Sequence, residues 1–262
     1  MPFPRSNVKT SFKLNGLTLI ELLAVISLIA ILFAITVPIV STVQNSAKTA
    51  KSLSNLRQIA SAMQMYSSDN DGLYPFGFKH ESIGGGTYWY LEIADYLDHK
   101  TISNDESNNM LISPFVSETP ILGTTDNTGL NVLTTPSHYS VHGVICPSII
   151  SSSVPDPRFP VWNIKGNHSE IILVGEGTLF STTKFAKATF TDPGGQFSPW
   201  RTTLDYSKSS LEVDFPHTFP GDDDPGVLSY RANDKALVAF LDGHVEAMER
   251  GSVKYRNVVI LP

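Results

Sequence analysis

Cysteine is nearly absent. Cys146 stands alone among 262 residues, so no disulfide forms within the chain, and cysteine-rich zinc or disulfide scaffolds are excluded. Charge is scarce as well: 17% of residues are charged, against about 25% in an ordinary soluble domain. With a net charge of −6 there is no global basic footprint, and no nucleic-acid partner is expected. Nucleophile elbow, zinc-protease helix, dinucleotide fingerprint and phosphate loop are all missing. Gly84-Gly85-Gly86 reads as a flexible loop, because no strand precedes it and no Lys-Ser/Thr follows it. The seven histidines are scattered. His138 and His142 are four apart, but Pro136 and Gly143 beside them argue against a helix that would bring them together. No metal, cofactor or enzymatic activity is expected. Aromatics are plentiful, with 14 Phe, 9 Tyr and 3 Trp, which excludes wholesale disorder. The length suits one medium domain, or a smaller domain joined to an extended element.

The averages conceal an asymmetry. Residues 1–16 contain Arg5, Lys9 and Lys13 and no acid; the rest of the chain has 16 basic and 25 acidic residues, a formal charge of −9. Between head and body, Leu17 to Val37 has Glu21 as its only ionisable residue. Twenty-one helical residues at about 1.5 Å each reach roughly 30 Å, the thickness of a bilayer core. The run is apolar on every side, which favours a membrane span over a surface-lying helix. The basic head places the N-terminus in the cytoplasm. Three readings of this segment compete. A cleaved signal peptide needs a shorter apolar run and a small-residue cleavage site after it. A plain anchor leaves an acid in the span without a purpose.

The third reading comes from a motif. Gly16-Leu17-Thr18-Leu19-Ile20-Glu21 resembles the type IV prepilin signal, with Leu17 where that family usually has Phe. The resemblance implies cleavage between Gly16 and Leu17 by a prepilin peptidase and methylation of the new amine at Leu17. It makes Glu21 the fifth mature residue, paired with the amine of a neighbouring subunit, and Pro38 the helix-kinking proline at the twenty-second. A glycine at the cut lets a peptidase approach the backbone.

Beyond Pro38, Val43, Ala47, Ala50, Leu53, Leu56, Ala60, Met63 and Ser67 recur in steps of three and four, widened by Ile59 and Tyr66. This predicts one amphipathic helix that stops at Asp69-Asn70-Asp71-Gly72. Asp69 and Asp71 lack the remaining ligands of an EF-hand calcium loop. The string from Asn55-Leu56-Arg57-Gln58-Ile59 through Tyr74-Pro75 also resembles pseudopilin-like proteins. The organisation expected is therefore a leader over 1–16, a transmembrane segment over 17–38, a helical continuation over 39–70 and an extracytoplasmic body over 71–262.

In the body, Tyr88 to Leu97 is expected as a short helix that packs its aromatics, Val141 to Ile145 and Ile171 to Val174 as strands, and 103–160 as loops with brief strands. Asp222-Asp223-Asp224 reads as solvated charge in a turn. Lys235 to Met248 reads strand, Asp242-Gly243, strand, with the two turn residues forming a type I′ hairpin. This segment resembles a C-terminal signature of prepilin-like proteins from planctomycetes and verrucomicrobia, in which a His stands ten positions before the Asp; here Ala232 occupies that place.

The fold expected is α+β: a long N-terminal helix packed on a small antiparallel sheet, pilin-like. Leu53, Leu56, Ile59, Ala60 and Met63 should face the sheet. The resemblance implies a structural subunit of a type II secretion pseudopilus or type IV pilus-like filament in the bacterial inner membrane, with its body periplasmic. Its partners would be a prepilin peptidase, other pilin-like subunits, the assembly platform and membrane lipid. The alternative is a membrane-tethered module that binds polysaccharide through Tyr88, Trp89, Tyr90, Trp162 and Trp200.

Overall fold

The computed structural model describes residues 18–81, 85–97, 109–116, 137–149, 156–179, 189–190, 228–258 and 260. The chain divides into two units, 1–44 and 45–262. Helix α1, Leu19–Asp69, supplies the described structure of the first unit and the opening element of the second.

In the second unit, α1 buries Ser52, Asn55, Leu56, Ile59, Ala60, Ala62, Met63 and Ser67, a set at three- and four-residue spacing that forms one face of a helix. The helix ends on a Schellman motif. The amide of Gly72 donates to the carbonyl of Ser67 (2.8 Å), and Asp71 takes the left-handed conformation after the last turn (φ 52°). Gly72 also has positive φ (73°), and a Cβ there would sit 2.2 Å from the ring of Trp162. Glycine is therefore required twice over.

The remaining elements are β1 (Phe78–Glu81), β2 (Gly85–Tyr88), α2 (Trp89–Glu92), β3 (Tyr139–His142), β4 (Ser148–Ile149), β5 (Ile172–Glu176), β6 (Thr189–Phe190), β7 (Lys235–Phe240) and β8 (Val245–Glu249). They form a three-stranded sheet, β2-β1-β4, and a five-stranded sheet, β6-β3-β5-β7-β8. The larger sheet is antiparallel except for the β3–β6 pair. The architecture is α+β.

The larger sheet is covered on both faces. Tyr139, Val141, Leu237, Ala239 and Leu241 join the helix residues in one apolar cluster, with Leu53 packed against it. Ala236, Val238 and Phe240 alternate to the other side, onto Phe190, Leu228, Tyr230, Met248 and Val253. A bulge in β5 sets Ile172 opposite Phe240 and Val174 opposite Ala239. The extra residue lets Leu173 and Val174 both join the helix-side cluster.

Four expectations need correction. Val43, Ala47 and Ala50 are exposed, whereas Leu56, Ala60, Met63 and Ser67 of the same stripe are buried. Spacings averaging below 3.6 make such a stripe drift around the helix, so its two ends face different ways. Gly85 and Gly86 are strand residues, not loop. The ring of Phe78 lies where a Cβ on Gly86 would be (2.3 Å), so the glycine makes room for a cross-strand aromatic. Asp242-Gly243 is not a type I′ pair, because only Gly243 takes positive φ (91°). The pairing Ala239↔Val245 and the bond from Gly243 N–H to Phe240 C=O (2.9 Å) define a three-residue loop closed by a left-handed glycine. Gly143 to Ile145 likewise lie beyond β3, which runs Tyr139–His142. Asp222-Asp223-Asp224 lie outside the described residues.

Truncating the buried Leu56 to Ala should cost about 2–5 kcal/mol, while Met65→Ala, on the exposed face, should stay within about 0.5 kcal/mol. Chemical unfolding of the detergent-solubilised chain checks this. Equal effects would mean that the helix face is misassigned.

Candidate functional site

The first unit presents an apolar helix whose few polar groups are satisfied internally. Leu19 to Ile35 are exposed throughout, and the segment is long and apolar enough to cross a membrane. Within 19–37 the only polar side chains are Glu21, Ser27 and Thr36. The Ser27 hydroxyl donates to the Leu23 carbonyl (2.8 Å) and the Thr36 hydroxyl to that of Leu32 (2.7 Å), the arrangement that lets hydroxyls sit in lipid. Glu21 accepts from both the amide and the hydroxyl of Thr18 (2.9 Å each), and its own amide donates to the Thr18 hydroxyl (3.3 Å). This is a reciprocal capping box on the helix start. The Thr-x-x-Glu spacing is the sequence signature of this cap. Pro38 lies inside α1, which continues through it. Gly16 and Leu17 lie outside the described residues.

In the second unit a buried chain of polar groups joins α1 to the sheet. Glu176, on β5, is 1% exposed. One carboxylate oxygen accepts from the hydroxyls of Ser52, on α1, and Ser113 (2.7 Å for the latter). The other faces Arg231 (3.6 Å), whose guanidinium also donates to the Gly177 carbonyl (3.1 Å). With the Ser52 proton committed to Glu176, the Tyr139 hydroxyl donates to Ser52 (3.1 Å) and receives the Asn55 amide (3.4 Å). Burial, and next the charge of Glu176, hold the Tyr139 phenol well above its ordinary range. This network lay outside the reach of sequence reasoning, since its members are spread from residue 52 to 231.

The histidines serve the fold. The Nδ1 of His138 accepts the Ser113 amide (3.0 Å). His142 donates from Nε2 to the Val258 carbonyl (2.8 Å) and accepts the amides of Val144 and Ile145 at Nδ1. Complete burial lowers the His142 pKa to about 4, despite these bonds. His138 precedes β3 and His142 ends it, the two share no ligand geometry, and no cluster of three metal-binding side chains occurs among the described residues.

At the hairpin, Asp242 accepts the backbone N–H of His244 (3.1 Å) and meets its Nδ1 at 2.5 Å. Burial pushes the Asp242 pKa up, but these bonds outweigh it and leave the carboxyl below its usual value. The His244 ring stacks on Phe240 at 4.2 Å, and Gln64 of α1 donates to the Leu241 carbonyl (3.1 Å). The loop is thus a docking point for α1. Ala232, where the resemblance expects a histidine, is buried in the helix-side cluster.

Among the described residues, the aromatics proposed for polysaccharide do not form a surface cluster. Trp89 and Tyr90 are buried, Tyr88 is half-buried and stacked on Tyr90, and Trp162 is exposed but lies against Gly72. Trp200 lies outside the described residues.

No protein-family model, curated protein or solved structure matches the chain.

Two outcomes follow from the buried groups. Glu176→Ala strands Arg231 and two hydroxyls and should cost about 3–5 kcal/mol; a loss below about 1 kcal/mol in denaturant unfolding would show that the network is dispensable. His142 is held neutral in the folded state, so below pH 6.5 the unfolded chain binds the extra proton. Stability from this group is complete above that value and falls as pH drops towards about 4, by about 3 kcal/mol in total. Imidazole NMR should find His142 neutral at pH 5; titration near 6.5 would contradict its burial.

Proposed function

We propose that the chain is a prepilin- or pseudopilin-like structural subunit. It is cleaved after Gly16, methylated at Leu17, held in the inner membrane by α1 with its body on the periplasmic side, and assembled through that helix into a type II secretion pseudopilus or type IV pilus-like filament. The observation that carries this reading is the helix start: an uncovered apolar segment with every polar side chain bonded within the helix, opening on Thr18 and Glu21 of the motif itself. A segment so arranged is stable in lipid and equally stable against copies of itself.

In this reading Glu21 has two roles, capping its own helix and offering a charge to the amine of a neighbour's Leu17. Two variants separate them. Glu21→Ala removes both, whereas Glu21→Gln keeps a capping side chain and loses the charge. Both variants should insert into the membrane. Both should fail to enter sheared filaments or cross-linked multimers, since breaking a buried pair costs about 3–5 kcal/mol, a hundredfold or more in association. Normal incorporation of Glu21→Gln would leave capping as the whole role of this residue and contradict the pairing.

A further inference from the structure

Strand β8 ends the larger sheet, and only β7 pairs with it. Its bonding phase is fixed at both ends. The amide of Phe240 donates to the His244 carbonyl (2.9 Å), and the amide of Arg250 to the Asp234 carbonyl (3.2 Å). Alternate residues of an antiparallel ladder bond to the same neighbour. The backbone groups of Glu246 and Met248 therefore bond to β7, and those of Val245, Ala247 and Glu249 turn outward. The Glu249 carbonyl is taken up by the amide (3.0 Å) and hydroxyl (2.7 Å) of Ser252. Among the described residues nothing bonds to the outward N–H and C=O groups of Val245 and Ala247, or to the Glu249 amide.

Open sheet edges are commonly blunted by lysine, proline or a bulge. β8 contains neither residue, and its register with β7 is unbroken. Its two faces differ. Val245 and Ala247 are partly buried and carry the helix-side apolar cluster out to the edge. On the other face Glu246 is exposed, and no base pairs with it among the described residues. Glu249 adds a second exposed carboxylate, held only by a surface contact with Lys235 (3.4 Å). A second copy's β8 would add its own Glu246 and Glu249 to this strip, and like charges across strands are destabilising. A strand with a base at the level of Glu246 meets the opposite charge.

We propose that β8 receives an added strand from a different protein: an extended basic segment, antiparallel to β8, with apolar residues beside Val245 and Ala247 and a Lys or Arg beside Glu246. Main-chain bonds supply the affinity, and the alternating side chains select the partner. Directly opposed residues share a face, so the apolar residues of the incoming strand are those whose amides and carbonyls bond to β8. Its basic residues turn their backbone groups away. The inference uses only residues of the body and stands apart from the assembly reading.

The test uses the detergent-solubilised full chain and a fluorescein-labelled peptide, Val-Lys-Val-Lys-Val-Lys-Val, followed by fluorescence anisotropy. Binding is expected. N-methylation of the valine amides should abolish it, whereas N-methylation of the lysine amides should leave it intact. Glu246→Lys should weaken binding about fivefold or more. Ala247→Pro removes one outward N–H and no bond of the β7–β8 ladder, and should abolish binding. Binding that ignores the valine methyl groups would overturn strand addition, as would no binding at all. Equal binding of Val-Glu-Val-Glu-Val-Glu-Val would overturn the preference for a basic partner. A dimer of the chain that Ala247→Pro dissolves would make a second copy the occupant and overturn a foreign one.

Discussion

The rotation of α1 about its own axis determines which of its residues are core and which stay exposed. Apolar packing of Leu56, Ile59, Ala60 and Met63 restricts that rotation, but hydrophobic contact is non-directional and tolerates a slide. The hydrogen bonds do not. Only one azimuth brings Ser52 to Glu176 and Asn55 to Tyr139, and leaving a buried carboxylate unmet is costly. Gln64 of α1, bonded to the Leu241 carbonyl of the hairpin loop, gives a third fixed point twelve residues beyond Ser52. With the inner face set, Lys48, Lys51, Ala47, Ala50 and Ser54 have no alternative to solvent or a neighbour.

The apolar first half of α1 follows a different rule. Among the described residues of its own unit it has no core to face, and a helix placed in lipid must leave no polar group unpaired. Ser27 and Thr36 achieve this by bonding back one turn, and Glu21 by closing the capping box. The design is economical. Thr18 holds one oxygen of the Glu21 carboxylate at the helix start, and the side chain stays exposed there.

Much of this was legible in the sequence where the signal is local. The long helix, its stop at Asp69 to Gly72, the β7–β8 hairpin and the α+β class follow from periodicity and turn chemistry, and α2 with its buried Trp89 and Tyr90 follows from the aromatic cluster. The failures have physical causes. A stripe drawn by steps of three and four drifts, so Val43, Ala47 and Ala50 do not share the buried face of Leu56, Ala60, Met63 and Ser67. Asp-Gly is compatible with both two- and three-residue loops, and the third residue, Leu241, is chosen by its contact with Gln64. Gly86 read as flexibility because the ring that fills its missing side chain, Phe78, comes from another strand. The Glu176 network is wholly non-local, and no spacing rule reaches across 124 residues to join it to Ser52.

The account stands on the apolar segment remaining part of the mature chain, with the cut before it and not after it. Intact-mass measurement of the protein extracted from membranes of cells that also produce a prepilin peptidase tests this most directly. The account predicts loss of residues 1–16 and the gain of one methyl group on Leu17. A chain that still begins at Met1, or one that begins beyond Pro38, would contradict it.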